Sequence, residues 1–258
     1  LQYRFIYGNP SAVISTSELT NKAIAEKLAV KPEKIHLVRY GMQTEIYQEN
    51  KLIIKEIREK YRANEKIVVG TLARITPLKG VQDLAEAYEF LPEKWKDKIV
   101  FWLIGEPSIL KRNGEQIIYE QEDEILDKSI RDFIEKYNLQ EKVRRIGFQK
   151  NYIDFLGAMD IFVLASHNEM YALSMIEAML MQKAVIGTQG GGTPEQVAQE
   201  QRGLLVPIRS PKAIAEAIVR YVESPELAKK MAENARLWAL ENHSWKKTLL
   251  AYQKIYEA

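Results

Sequence analysis

Cysteine is absent from the 258 residues, and histidine occurs only three times. Without cysteine the chain has no disulfide scaffold, no thiolate zinc site and no cysteine nucleophile. His36, His167 and His243 are far apart in the sequence, which argues against a histidine-rich metal site. We therefore expect a functional site that holds no metal.

The chain also lacks a large excess of either positive or negative charge, and it lacks long apolar runs. The chain has 37 basic and 35 acidic side chains, a net charge of +2, whereas nucleic-acid-binding proteins usually carry a strongly basic face. No apolar run reaches the roughly 18 residues of a membrane span, and no signal peptide is recognisable. We expect a cytoplasmic protein with no nucleic-acid partner. The chain begins with Leu1 instead of Met, so we also expect a fragment of a larger protein.

The composition that is present is that of a globular protein, with 46% apolar and 28% charged residues. The length corresponds to between one and two domains. Short apolar runs predict strands at residues 12–17, 35–40, 67–72, 99–104, 143–146, 161–165, 184–188 and 203–206. Most of these runs are continuous and not alternating, which is typical of strands buried on both faces of a parallel sheet.

Between these runs, apolar residues recur with the helical spacing of about 3.6, at residues 80–90, 127–137, 173–181 and 211–222. Strands that alternate with helices predict an α/β fold with a doubly wound, Rossmann-like parallel sheet. Ligands of such sheets bind beyond the carboxyl ends of the strands. The loops that follow the strands are therefore the first places to look for a site.

The pattern divides the chain into four parts. Residues 1–48 carry only two strand signals, and residues 49–66 are a polar helix with a linker. Residues 67–224 form the main α/β unit, and residues 225–258 are two helices, the second capped by Ser244. Within the main unit, residues 106–127 have seven acidic and two basic side chains. We interpret them as a long irregular link, and a link of that length usually has a function or is mobile.

Two loops carry groups that suit a nucleotide. Near the end of the strand at 67–72, Gly70 allows close approach to the backbone, and in the loop that follows Arg74 and Lys79 offer two cations for a diphosphate. After the strand at 161–165, Glu169 and Glu177 bracket a helix N-terminus whose unpaired amides form an anion site. Those amides belong to Tyr171, Ala172, Leu173 and Ser174. The alternatives are a solvated basic loop in the first case, and a buried structural Glu177 with a surface Glu169 in the second.

Further candidates have ordinary structural explanations. A glycine-rich segment at residues 190–194 is equally well explained by a tight turn. His167 is better explained as a hydrogen-bonded loop histidine than as a proton carrier, and His243 as packing between the C-terminal helices. Asp160 is interpreted as a cap or turn partner.

The motifs occur in a characteristic order: Gly70…Arg74…Lys79-Gly80, Val143-Arg-Arg-Ile-Gly147-Phe148, Glu169…Glu177-Ala-Met, Gly191-Gly192-Thr-Pro-Glu195 and Ser244-Trp245. In order and spacing they resemble the donor-binding domain of the retaining glycosyltransferases of family four, which have the GT-B fold. Residues 11–18 and 34–41 resemble the end of that family's N-terminal domain and the strand before its interdomain linker. The resemblance covers nearly the whole chain.

The resemblance implies a role for each matched residue. Arg74 and Lys79 would bind the diphosphate of a nucleoside-diphosphate sugar, and the helix N-terminus from Tyr171 to Ser174 would hold the distal phosphate. Met170, in the loop before it, would also belong to the donor site. Glu177 would bind the ribose, and Glu169 the transferred sugar. The segment Gly147, Phe148 and Gln149 would lie against the base. Arg74, Lys79 and Glu169 would be the catalytic residues, with no metal and no other resident cofactor, in a transferase of glycan biosynthesis.

The chain also departs from the family. Met170-Tyr171-Ala172 stands where the family has glycine, an aromatic residue and glycine, so we expect the Ala172 methyl group to narrow the donor pocket or to select a different sugar. Residues 106–127 look like an insertion. A GT-B enzyme needs two Rossmann-like domains, so the resemblance implies that the acceptor, a glycan or a lipid, binds a missing N-terminal half. Any peripheral contact with the inner face of the membrane would also come from that half, and this chain alone would bind donor but transfer little sugar.

Two alternative functions stay open at this point. One is a non-catalytic nucleotide-binding module or subunit, in which the altered loop after Glu169 no longer supports transfer. The other is a GT-B relative with different chemistry, such as a sugar-nucleotide epimerase or a phosphorylase. The sequence names neither the base, nor the sugar, nor the acceptor.

Overall fold

A computed structural model describes residues 10–28, 30–114 and 116–257. Its strands are β1 (Val13–Ser15), β2 (Ile35–Leu37), β3 (Ile67–Leu72), β4 (Ile99–Ile104), β5 (Ile109–Asn113), β6 (Gln116–Tyr119), β7 (Val143–Ile146), β8 (Ile161–Leu164), β9 (Ala184–Thr188) and β10 (Leu204–Val206). Its α-helices are α1 (Glu18–Leu28), α2 (Lys51–Lys60), α3 (Val81–Ala87), α4 (Glu93–Lys96), α5 (Gln121–Lys136), α6 (Tyr152–Ala158), α7 (Leu173–Leu180), α8 (Thr193–Val197), α9 (Pro211–Glu223), α10 (Pro225–Asn242) and α11 (Trp245–Tyr256).

Six parallel strands form the central sheet, in the order β10-β9-β8-β3-β4-β7. Counted from β3 as the first strand of this sheet, this is the 3-2-1-4-5-6 order of the doubly wound dinucleotide-binding fold. The predicted Rossmann-like α/β sheet is therefore confirmed. Four of these strands have the predicted bounds, and the other two differ from them by one residue.

Both faces of the sheet are covered by helices. On one face, side chains of α3, α5 and α9 pack against the sheet in one apolar cluster. On the other face, α2, α6, α7 and α10 contribute to a second cluster. Neighbouring residues of a strand point into opposite clusters: Phe101 belongs to the first and Trp102 to the second, and both are fully buried. This is why the strands read as continuous apolar runs in the sequence.

The N-terminal residues form a separate small layer. β1 and β2 pair in parallel, with α1 between them in the chain. Glu195, at the start of α8, connects this layer to the main sheet because its carboxylate accepts hydrogen bonds from the amide of Glu18 (2.8 Å) and from Nη2 of Arg39 (3.0 Å). The division of the chain at residues 48, 66 and 224 stays a prediction.

Residues 106–127 are not an irregular link, so that interpretation is wrong. β5 and β6 form an antiparallel hairpin, and α5 begins at Gln121, six residues before the predicted start. The acidic residues suggested a solvated loop, but three of them occupy the first turn of α5, where the helix dipole favours negative charge. One of these three, Asp123, is buried and accepts from the amide of Ser108 (3.0 Å), and Asp127 further along α5 is also buried and pairs with Arg145 (2.6 Å).

α1 and α6 are the two longer helices that the sequence did not predict. α6 has seven residues and one of them is Gly157, so its helical signal is weak. It forms because it packs on α2: the space where a Cβ of Gly157 would stand is occupied by the side chain of Ile54. Within the described ranges, none of the helices combines the length and the apolar character that a membrane crossing requires.

His243, which follows α10, connects the C-terminal helices to the segment after β2 and to Tyr171. It is fully buried, and its Nδ1 lies 3.0 Å from the carbonyl oxygen of Tyr40 and its Nε2 lies 3.1 Å from the hydroxyl of Tyr171. A carbonyl can only accept, so Nδ1 carries the proton and Nε2 accepts from Tyr171. Burial lowers the pKa of His243 to about 4. The interpretation of His243 as packing between C-terminal helices was therefore incomplete, since it also holds the segment that crosses from the N-terminal layer.

We expect this histidine to make the chain less stable in mild acid. Below about pH 6.5 the unfolded chain protonates His243 while the folded chain does not, so the free energy of unfolding falls as the pH drops towards 4. At pH 5 the loss is about 2 kcal/mol. Thermal unfolding of the wild type and of His243→Gln between pH 7 and pH 5 measures it: the melting temperature of the wild type should fall more steeply. Parallel curves for the two proteins would contradict this assignment.

Candidate functional site

A cleft of about 640 Å³ opens at the carboxyl ends of β3 and β4. Its walls come from the loop after β3, the segment after β4, the residues after β7 and the first turns of α7. The cleft lies beside the boundary between β3 and β8, where the chain continues to opposite faces of the sheet, to α3 after β3 and to α7 after β8. Crevices at such boundaries bind ligands in open α/β sheets.

Lys79 and Glu169 meet across this boundary. Nζ of Lys79 donates to Oε2 of Glu169, and their side chains are 24% and 16% exposed. Lys79 ends a short 3-10 turn that is followed by Gly80 with φ +60°, and a Cβ at Gly80 would lie 2.1 Å from the carbonyl oxygen of Ala165. This close approach places the loop after β3 on the loop after β8. The alternative of a surface Glu169 is wrong, because the side chain is mostly buried in an ion pair.

Glu177 lies on α7 and lines the cleft. Its Oε1 accepts hydrogen bonds from the hydroxyls of Tyr152 (2.9 Å) and Tyr47 (3.1 Å). Burial raises the pKa of the Glu177 carboxyl, while the hydrogen bonds from the two tyrosines favour the charged form and lower it in part. Oε2 accepts no hydrogen bond from any residue that the structure describes. Glu177 is therefore a structural partner through one oxygen and open to a ligand through the other.

Arg74 lines the cleft and is exposed. Among the residues that the structure describes, none forms an ion pair or a side-chain hydrogen bond with its guanidinium group. The guanidinium therefore stands at the cleft with its donors free for a planar or tetrahedral anion.

The N-terminus of α7 is only partly open. Leu173 and Ser174 line the cleft, and no side chain caps the first turn. The amide of Ala172, however, donates to Oε1 of Gln196 (3.0 Å), and its carbonyl oxygen accepts from Nε2 of the same side chain (2.9 Å). The prediction of an unpaired amide at Ala172 is therefore wrong, because a glutamine from α8 occupies both polar groups of that peptide.

Several predicted donor-binding residues do not line the cleft. Met170 is 68% exposed and does not line the cleft, and Tyr171 and Ala172 are buried in the core of the second apolar cluster. The Ala172 methyl group therefore packs in this core and does not narrow the cleft, contrary to our expectation. Gly70 is buried inside β3, where the side chain of Met159 fills the space that a Cβ would take. The carboxyl end of β3 comes only two residues later.

Phe148 and Gln149 do line the cleft, and Gly147 lines a smaller adjoining cavity. The amide of Phe148 donates to Oε1 of Glu106 at 3.2 Å. Sequence reasoning missed Glu106, which lies two residues after β4 and lines both cavities. Its position directly after a buried parallel strand is the signal that would have found it.

The glycine-rich segment supports the loop that carries Glu169. The amide of Gly192 donates to the carbonyl oxygen of Glu169 (2.6 Å). Gly191 has φ +58°, and a Cβ there would lie 2.0 Å from the same oxygen. The close approach that these glycines allow is therefore to the protein's own backbone.

His167 fixes the same loop from the other side. Its Nε2 lies 2.6 Å from Oδ2 of Asp83 on α3, and its amide donates to the carbonyl oxygen of Leu78 (2.8 Å). The interpretation as a hydrogen-bonded loop histidine is confirmed. Asp160 is likewise a structural partner, accepting from the amide of Val68 (2.7 Å) and from Arg58 (2.8 Å). In the part of the chain that the structure describes, no three His, Asp or Glu side chains are grouped as metal ligands.

A pair of glycine substitutions tests how tightly this loop is held. Gly191 and Gly114 both have φ near +60°, but a Cβ at Gly114 would have no neighbour within 4 Å. We expect Gly114→Ala to destabilise by about 1 kcal/mol through backbone strain alone. Gly191→Ala should cost about 3 kcal/mol or more, because the new methyl group displaces the backbone of Glu169. Urea unfolding of both variants measures the difference, and equal losses would contradict the close packing.

The sequence of this chain is similar to those of known glycosyltransferases. Residues 53–238 match the family model described as glycosyl transferases group 1. An uncharacterised glycosyltransferase of Methanocaldococcus jannaschii is 27% identical over 255 residues, which are 98% of this chain and 60% of that protein. The chain spans about half the length of the curated relatives it matches.

Two solved structures show the same fold. HepE of Anabaena, in complex with UDP and glucose, superposes with a TM-score of 0.84 at 21% identity, over 99% of this chain and 64% of HepE. The C-terminal domain of a glycosyl transferase group 1 family protein from Francisella tularensis superposes with a TM-score of 0.67 at 24% identity, over 80% of this chain and 100% of that domain. The chain belongs to the group 1 glycosyl transferases, the retaining family-four enzymes with the GT-B fold.

Proposed function

We propose that this chain is the donor-binding half of a retaining glycosyltransferase and that its cleft binds a nucleoside-diphosphate sugar. The observation that carries the proposal is the arrangement around the cleft and its rim. Arg74, Glu177 and the N-terminus of α7 line the cleft, and the ion pair of Lys79 and Glu169 lies at the boundary between β3 and β8. Cations and helix amides suit a diphosphate, and carboxylates suit the hydroxyl groups on either side of it.

The nucleoside half of the donor fits the Glu177 end of the cleft. A carboxylate can accept hydrogen bonds from a vicinal diol, and Oε2 of Glu177 is open for the ribose. The two tyrosines that bind Oε1 fix the orientation of the carboxylate before the ligand arrives. Phe148 and Gln149 line the same cleft and would lie against the base.

The diphosphate fits between the two carboxylates. Arg74 offers a planar fork of donors, and the first turn of α7 offers the amides of Leu173 and Ser174 without a competing side-chain cap. Negative charge grows on the leaving diphosphate as the bond to the sugar breaks. Groups already aimed at that charge lower the barrier without reorganising.

Binding of the donor would break the ion pair between Lys79 and Glu169 and give each side chain a new partner. The diphosphate would take Lys79 away from Glu169, and the released carboxylate would accept a hydroxyl hydrogen bond from the transferred sugar. Lys79 and Glu169 would thus act as catalytic residues with Arg74, one on the leaving group and the other near the reacting carbon.

The rest of the enzyme would lie outside this chain. We propose that residues 67–224 are the donor domain, residues 1–48 the end of an acceptor domain, and residues 225–258 its C-terminal helices. The acceptor, a glycan or a lipid, would bind the N-terminal half. A cytoplasmic location fits this arrangement, with any contact to the membrane made by that half. Transfer would require both halves.

Thermal unfolding with nucleotides tests the donor site directly. UDP is the first ligand to try, because HepE was solved with UDP, and GDP and ADP follow. At a concentration 100 times the Kd, a bound nucleotide adds about 2.7 kcal/mol to the free energy of unfolding, a rise of about 5 °C or more in melting temperature. Lys79→Ala and Glu177→Ala should abolish most of that rise.

The chain offers a matched control. Lys55 and Glu59 form an exposed ion pair on α2, with 3.7 Å between Nζ and Oε1. Lys55→Ala and Glu59→Ala should therefore leave the nucleotide-induced rise unchanged. If none of UDP, GDP and ADP raises the melting temperature of the wild type, the proposed function is wrong.

A second experiment tests the release of Lys79. Glu169→Gln removes the charge that holds Lys79, so UDP alone should bind as tightly as to the wild type or up to about tenfold more tightly. UDP-glucose should gain less than UDP, because the glutamine is a weaker acceptor for a sugar hydroxyl. Calorimetric titration of both ligands gives the two affinities. A loss of UDP affinity in this variant would contradict the proposed exchange of partners.

A further inference from the structure

The hairpin of β5 and β6 forms the outer wall of the cleft, and the proposed function gives it no role. Ile109 and Arg112 of β5 line the same cleft as Phe148 and Gln149. The residues that would bind ribose, diphosphate and sugar come from other elements, namely the loops after β3 and β8 and the start of α7. The hairpin therefore faces a part of the donor that these elements do not bind.

One carboxylate fixes the hairpin and the residues after β7 together. The hydroxyl of Tyr119, the last residue of β6, donates to Oε2 of Glu106 at 3.3 Å. Oε1 of the same carboxylate accepts from the amide of Phe148 at 3.2 Å. The hairpin and Phe148 therefore keep a fixed relation to each other.

The hairpin is also anchored at its base, where β5 begins and β6 ends. The amide of Glu120 donates to the carbonyl oxygen of Ser108 (2.8 Å), and the amide of Ser108 donates to the buried Asp123 (3.0 Å). The start of β5, which carries Ile109, is therefore held at the cleft and is part of its permanent wall.

The cleft-lining groups on and opposite the hairpin suit a flat ring with a polar edge. Phe148 is 63% exposed and Ile109 is 41% exposed, so two apolar side chains face solvent in one cleft. Apolar surface in a cleft is typical of a ligand-binding wall. Arg112 is exposed too, and a guanidinium group donates hydrogen bonds and accepts none.

We propose that the β5–β6 hairpin is the outer wall of a nucleobase site. The base lies between Phe148 and Ile109, and Arg112 donates to carbonyl oxygens on its edge. This arrangement selects bases that carry carbonyl oxygens there, uracil or guanine, over adenine, whose exocyclic amine is a donor. The inference rests on the proposed function, because it assigns the base of the same donor.

Calorimetric titration of the whole chain with UDP, GDP, ADP and inorganic pyrophosphate tests the inference. Ile109→Ser should lower the affinity for all three nucleotides about tenfold, the loss that one apolar contact gives. Arg112→Gln should lower the affinity for UDP or GDP about tenfold but not that for ADP, because the glutamine amide also offers an acceptor. Neither substitution should change the affinity for pyrophosphate, which has no base.

Lys111→Gln is the matched control, since Lys111 is a neighbouring cation on the same strand and does not line the cleft. It should leave all four affinities unchanged. Ile109 and Arg112 are exposed, so we expect the variants to keep the melting temperature of the wild type. Measuring that temperature checks that each variant is folded.

The outcomes separate the two proposals. If the wild type binds no nucleotide, both are wrong. If it binds nucleotides and the two variants bind them equally well, only the hairpin assignment is wrong. If Arg112→Gln weakens pyrophosphate as much as UDP, Arg112 contacts the diphosphate and the assignment to the base is overturned.

Discussion

The side-by-side pairing of β3 and β8 is the constraint on which the site depends. β3 precedes β8 by almost ninety residues, yet Val69 stands opposite Ile161 in the parallel sheet. From this boundary the chain continues to α3 on one face and to α7 on the other. The two loops therefore diverge above the strands and leave a cleft between them, as parallel sheets with this strand order generally do.

Every charged group proposed to touch the donor depends on that divergence. Lys79 and Glu169 come from the two loops and meet only because glycines allow backbone to approach backbone, Gly80 against Ala165 and Gly191 against Glu169. Glu177 stands one to two turns into α7 and is oriented by Tyr47, which lies outside the sheet altogether. Arg74 and Glu177 line the cleft, whereas the ion pair of Lys79 and Glu169 does not line it and lies at the boundary between β3 and β8.

The structure also distinguishes residues that resemble a ligand-binding motif from residues that reach the ligand. Tyr171 and Ala172 stand in the motif, but their side chains belong to the core, and Gln196 occupies the backbone of Ala172. Glu106 stands in no motif that the sequence singled out, yet its carboxylate ties the hairpin to Phe148. A sequence motif indicates the local course of the backbone. The direction of each side chain depends on the secondary structure around it.

The sequence alone was enough to predict the sheet, because continuous apolar runs such as residues 99–104 specify strands buried on both faces. It also determined that Arg74, Lys79, Glu169 and Glu177 follow strands, and hence that they gather at one edge. The tertiary structure was needed to show that residues 106–127 form a hairpin and a helix, since Asp127 pairs with Arg145 outside this range and Asp123 with Ser108 at the far end of the hairpin. It alone decided that Lys79 pairs with Glu169 and that Glu177 shares one oxygen with two tyrosines. Such pairings join residues far apart in the chain, so no local pattern encodes them.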